Sequence, residues 1–126
     1  MATSPDGPFV LVHNGCGKLR RALGGANIAP GYEAHHIVAK NAKRARPAKE
    51  VLDKFGIDLD SAINGVLLPG NKSLAKATGQ AYHKGLHTNA YYAAVNRLLG
   101  GATSKNGAIR ILKDIADQLS AGKIPN

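Results

Sequence analysis

"GYEAHHIVAK", residues 31–40, sets two adjacent histidines, His35 and His36, inside a short apolar run. Pro30 and Gly31 form a turn signal before it, so Tyr32–Ala39 is expected to be a strand. Neighbouring side chains on a strand point to opposite faces. The two imidazoles therefore cannot face the same way. A second strand is expected at "INGVLLP", residues 63–69, closed by Pro69. Between the two, "KNAKRAR" is a basic solvated stretch, and Pro47 suits the first position of a helix, "PAKEVLDKF", that Gly56 ends.

Outward from this centre the pattern is helical. "GKLRRAL", residues 17–23, makes two turns stopped by Gly24 and Gly25, and "GNKSLAKATGQ" reads as a loop or a broken helix. A helix over Thr88–Leu99 gathers Tyr91, Ala94, Val95, Leu98 and Leu99 on one face. A last amphipathic helix gathers Ala108, Ile111, Leu112, Ile115 and Leu119, with Gly122 as its stop. The fold class expected is α+β, mostly helical, with one small hairpin. Residues 17–126 form the domain. Residues 1–16, beginning "MATSPDGPFVLVHNG", lack the basic start and long apolar stretch of a signal peptide. They read as a linker or extended segment, as if the chain were a fragment of a larger protein.

The 126 residues suffice for one modest core. With 17 basic against 8 acidic residues the net charge is +9, which points to a polyanionic partner. Nucleic acid comes first; an anionic membrane or an acidic protein comes second. Cys16 stands alone, which excludes an internal disulfide and a cysteine-rich zinc site. No run of about 18 apolar residues could span a membrane. Surface binding to one is disfavoured because the tail helix carries Asp114 and Asp117 on its polar side.

Four of the five histidines fall in two close pairs, His35 with His36 and His83 with His87; His13 stands apart and reads as surface. The i,i+4 spacing of the second pair puts both rings on one side of a helical turn, where they can grip a divalent cation. Gly85 argues against regular helix there, but a tight turn serves as well. Of the first pair, one imidazole can turn toward the metal and the other away from it as a general base. Phosphodiester hydrolysis needs that division. A metal neutralises charge on the phosphate, while a base opposite it deprotonates an attacking water. Imidazole titrates near pH ~6.5, which suits it to the task. The plainer alternative is a half-buried core histidine beside a surface one.

"YEAHHIVA", then "FGIDLDSAINGVLLP", then "HKGLHTNAYYAAVNRLL" together resemble the AHH family, a branch of the HNH/endonuclease VII nucleases named for the motif seen here as Ala34-His35-His36. The resemblance runs from about residue 18 to residue 99. It departs at Ala39, where such proteins often carry proline. What it implies is a ββα-metal (His-Me finger) core with flanking helices and one divalent cation. His35 is then a metal ligand and His36 the general base. Asn64 matches an asparagine that braces the base-holding loop in some relatives and binds metal in others, and it joins His36 in the catalytic set. Gly65 beside it permits the backbone geometry. His83 and His87 match the remaining ligands; His87, at the helix entrance where Thr88 or Asn89 can cap, is the firmer of the two, and His83 binds metal, touches phosphate or supports the loop. Glu33, Asp58 and Asp60 are candidate acceptors for the second ring N–H of a ligand histidine.

Lys40, Lys43, Arg44 and Arg46 follow the motif and Lys84 sits between the second pair, so these are the expected phosphate contacts, with Arg97 a weaker one. Such contacts read no sequence and make binding salt-dependent. The function expected is a metal-dependent, nonspecific DNA endonuclease. The cation is Mg, Mn, Zn or Ni, and no small-molecule cofactor is expected. By resemblance it is the toxic domain of a secreted or injected bacterial protein, acting in the target cell cytoplasm and countered by an acidic immunity protein. Two alternatives stay open. One is a non-catalytic nucleic-acid-binding module with a structural metal held by His35, His83, His87 and Asn64. The other is an RNase on the same scaffold.

Overall fold

A computed structural model describes residues 14–126. His13 and most of the expected N-terminal linker lie outside the described residues; Asn14, Gly15 and Cys16 belong to the first helix. In chain order the main elements are α1 (Asn14–Ala22), β1 (Tyr32–His36), α2 (Arg46–Lys54), β2 (Gly65–Pro69), α3 (Lys72–Thr78), α4 (Asn89–Gly100) and α5 (Lys105–Ser120). Short 3-10 turns at Gly25–Asn27, Lys43–Ala45, Ala62–Asn64 and His83–Leu86 join them. The fold is mostly helical around one small antiparallel sheet, as the sequence pattern predicts.

The two strands pair with His35 opposite Val66 and His36 opposite Gly65. They are no tight hairpin: residues 37–64, including α2, lie between them. Both strands are shorter than their apolar runs, for one reason. Ser61 caps the Ala62–Asn64 turn, its Oγ accepting from the Ile63 amide at 3.2 Å, so β2 starts only at Gly65. Across from it, the Ile37 amide still reaches the Asn64 carbonyl at 2.9 Å. The next partner is a side chain: the Val38 amide donates to Asn64 Oδ1 at 2.9 Å. A turn has replaced the ladder.

Each helix boundary has a local cause. Asn71 caps α3, its Oδ1 accepting from the Leu74 amide at 2.8 Å, and Gly79 ends it at φ +74°. The "GNKSLAKATGQ" stretch is thus a two-turn helix between a cap and a glycine. Thr88 caps α4 through the Tyr91 amide at 3.2 Å, and Ser104 caps α5 through the Gly107 amide at 3.0 Å. Each such cap contributes about 1 kcal/mol. The expected inward faces are buried, with Leu98 and Ile111 half-buried at their edges.

The core joins Ile37, Val38, Leu52, Leu68, Tyr91, Leu99, Leu112, Ile115 and Leu119. α1 closes the sheet by its buried Leu19. Gly65 serves that contact rather than an unusual backbone angle, since its φ is −130°. A Cβ there would come within 2.6 Å of Leu19 Cδ1 and 3.0 Å of Leu23 Cδ1. No helix of the described residues is long and apolar enough to cross a membrane.

Candidate active site

Both motif histidines are buried, His35 at 4% exposure and His36 at 9%. That removes the reading of one core and one surface histidine. Their rings part as strand geometry requires. His35 turns to the His83–Leu86 turn and α4: its Nδ1 lies 3.1 Å from His83 Nδ1, and its Nε2 lies 3.0 Å from the Tyr91 hydroxyl. His36 turns to the loop before β2, with Nε2 2.9 Å from Asp60 Oδ1. Both still line one cleft of about 360 Å³, whose walls include Lys40, His83, His87 and Tyr92.

The protonation of His35 follows from Tyr91. The buried Tyr91 hydroxyl donates its one proton to the Ile37 carbonyl at 2.8 Å. Burial, and Tyr92 beside it, raise its pKa, so the proton stays. Toward His35 the hydroxyl can only accept, which places the imidazole proton on Nε2 and leaves the Nδ1 lone pair facing His83. Tyr91 did not stand out in the sequence because it sits on an aliphatic helix face. The available signal was its polar tip, since a buried tyrosine hydroxyl usually has a partner.

Burial, then the charges of His83, His87 and His36, drive the His35 pKa down to about 3. His83 is lowered in the same direction, again mainly by burial. Neutral imidazoles are what a cation requires. Two nitrogens on one ion, each about 2.1 Å from it, lie roughly 3.1–3.4 Å apart. The His35–His83 separation fits that spacing. His87 is close, its ring centre 5.6 Å from that of His83, but it is exposed and its Nδ1 lies 3.4 Å from the Tyr92 hydroxyl. Among the described residues no group of three or more His, Cys, Asp or Glu side chains is gathered to hold a metal. The structure brings together a pair of the expected ligands, with the third alongside.

A folded His35 that resists protonation makes stability depend on pH. Unfolded, it titrates near pH ~6.5; folded, near 3. Its contribution is complete above 6.5 and is lost as pH falls from there toward 3. Asp60, held below its ordinary 3.8, adds loss only in the carboxylate range. Melting in EDTA should therefore drop by roughly 5–10 °C between pH 7 and pH 5. The slope should flatten in His35→Asn, and a flat wild-type profile over that window would count against the buried neutral imidazole.

Asn64 lies outside the cleft. It is fully buried, and besides accepting from Val38 its amide donates to the carbonyls of Val38 at 3.1 Å and Leu59 at 2.9 Å. Every part of the amide is engaged with backbone, so the metal-binding option is corrected: Asn64 braces the loops on either side of the site. The closed four-ligand site of the binding-module reading loses its fourth member with it.

The carboxylates sort differently from expectation. Glu33 lies along Gly70, and Asp58 Oδ1 accepts from the Asp60 amide at 2.8 Å. Asp60 meets His36, the expected base, rather than a ligand. Its second oxygen accepts from Lys40 Nζ at 2.6 Å. Burial works to raise the Asp60 pKa, but the hydrogen bonds from Lys40 and His36 outweigh it and hold the carboxyl low. Of the expected phosphate contacts, Lys40 lines the cleft. Lys43, Arg44, Arg46 and Lys84 are exposed. Asn96 of α4 pins the turn bearing Arg44, donating to the Arg44 carbonyl at 2.8 Å and accepting from the Ala48 amide at 3.0 Å.

Two paired strands, a buried His-His motif and a facing histidine turn are thus on one scaffold, and residues 17–119 match the family described as a nuclease family of the HNH/endonuclease VII superfamily with conserved AHH. The chain belongs to the AHH nuclease family. No curated protein matches it significantly. No solved structure does either. Within this AHH protein the motif is Ala34-His35-His36, and the match runs from within α1 to the last turn of α5.

Proposed function

We propose that this AHH protein is a metal-dependent, nonspecific DNA endonuclease that hydrolyses phosphodiesters. The observation that carries the reading is that the two motif imidazoles diverge to different partners at one cleft. His35 offers a lone pair to His83 on one side, and His36 is held from the other. His35 and His83 would hold a divalent cation, with His87 beside them, and the ion would neutralise charge developing on the phosphate. His36 takes a proton from water as the water oxygen bonds to phosphorus and the bond to the leaving oxygen breaks. The leaving oxygen is protonated from solvent. Lys43, Arg44, Arg46 and Lys84 hold the phosphate backbone by charge, and Lys40 does so at the cleft itself.

The family resemblance supports a role as the toxic domain of a secreted or injected bacterial protein, acting in the target cell cytoplasm. The net charge of +9 supports an acidic immunity partner. Supercoiled-plasmid cleavage tests the catalytic core. Nicking should appear with Mg²⁺, Mn²⁺, Zn²⁺ or Ni²⁺, vanish in EDTA, and fall steeply as salt rises. Tight DNA binding without nicking under any cation would overturn the reading, and cleavage of RNA alone would move it to a ribonuclease.

A further inference from the structure

The His36–Asp60–Lys40 chain has no counterpart at His35, where a neutral hydroxyl does the orienting. An ionised carboxylate can only accept hydrogen bonds. Asp60 Oδ1, 2.9 Å from His36 Nε2, therefore calls for a proton on that nitrogen. The carboxylate is itself held on two sides. Lys40 takes Oδ2, and the Asp60 amide is tied to Asp58. The His36 and Asp60 side chains are only 9% and 10% exposed, so neither is a loose surface partner.

The backbone also holds the two residues in register. The Asn64 amide binds Val38, two residues after His36, and Leu59, the residue before Asp60. One buried side chain thus ties together the strand end that carries the imidazole and the loop that carries the carboxylate. Burying an acid near an imidazole is costly unless both are paired, and here each is.

We propose that Asp60 is a positioning residue that holds His36 as its Nε2–H tautomer and leaves Nδ1 as the nitrogen that accepts the proton from water. Lys40 steadies the carboxylate in that task. The tautomer follows from the geometry alone; the identity of the proton donor rests on the nuclease reading above.

Ring nitrogen-15 NMR of the full chain, in EDTA near pH 8 and with His36→Ala to locate the signal, reads the tautomer directly. Wild-type His36 should carry its proton on Nε2. Asp60→Asn, whose amide can donate to Nε2, should move population to Nδ1–H. The same substitution should cut kcat for plasmid nicking by about 10–100-fold with KM little changed. Asp60→Glu, which keeps an accepting carboxylate, should recover much of both. An unchanged tautomer in Asp60→Asn overturns the proposal whatever the activity, as does full kcat with a shifted tautomer. A wild-type protein that nicks nothing would overturn the nuclease reading and the proton transfer with it, while the NMR comparison still decides whether Asp60 holds the ring.

Discussion

His36→Ala should lower plasmid nicking by a factor of about 10²–10⁴, the usual contribution of a general base, while leaving the fold in place. The loss should fall on kcat, because in the proposed mechanism His36 moves a proton while the lysines and arginines hold the phosphate. His36 lines the cleft, yet its side chain pairs with Asp60, and Asp60 keeps Lys40 when the imidazole is gone. No buried charge is left alone by the substitution. The two nitrogens facing each other at 3.1 Å belong to His35 and His83, so cation binding should persist. Titration of the variant with Zn²⁺, alongside its melting curve, separates the two roles. Retained nicking would remove His36 from the chemistry. Lost cation binding would mean that the adjacent imidazoles share the metal instead of dividing the work.

The other large effect lies where no substrate reaches. Asn64→Ala should destabilise the protein by about 3–5 kcal/mol, because two buried backbone groups and one half-buried carbonyl lose their partners at once. These are the Val38 amide, the Val38 carbonyl and the Leu59 carbonyl, all within 3.1 Å of the Asn64 amide. Asn64→Asp should be no better, since a carboxylate oxygen would face both carbonyls in place of the donating NH₂. The urea midpoint measures this directly. A loss below about 1 kcal/mol would mean that water restores the bonds, and the bracing role would then have to be withdrawn. Activity of any folded remainder should fall too, since the same amide holds the strand end behind His36.

Much of the scaffold was legible because its signals are local. Apolar residues at helical spacing marked α4 and α5, and Pro47, Gly56, Thr88 and Gly122 stand at or near their expected boundaries. Less was legible where a side chain far along the chain took over a backbone bond. The apolar run after His36 continues to Ala39, yet β1 stops at His36 because Asn64 supplies the next hydrogen bond. A glycine at position 65 suggests backbone freedom; its actual service is to let Leu19 approach.

The same boundary runs through the site. Residue types and order were sufficient for the family, the paired histidines and the nucleic-acid partner class, since a motif and a net charge are properties of the chain itself. Which nitrogen each histidine keeps free was not readable there. It depends on Tyr91, 56 positions from His35, and on Asp60, 24 positions from His36. Spacing along the chain does not carry the direction of a ring N–H. That direction is set only when packing buries a hydroxyl whose one proton is already committed to Ile37 and a carboxylate already gripped by Lys40.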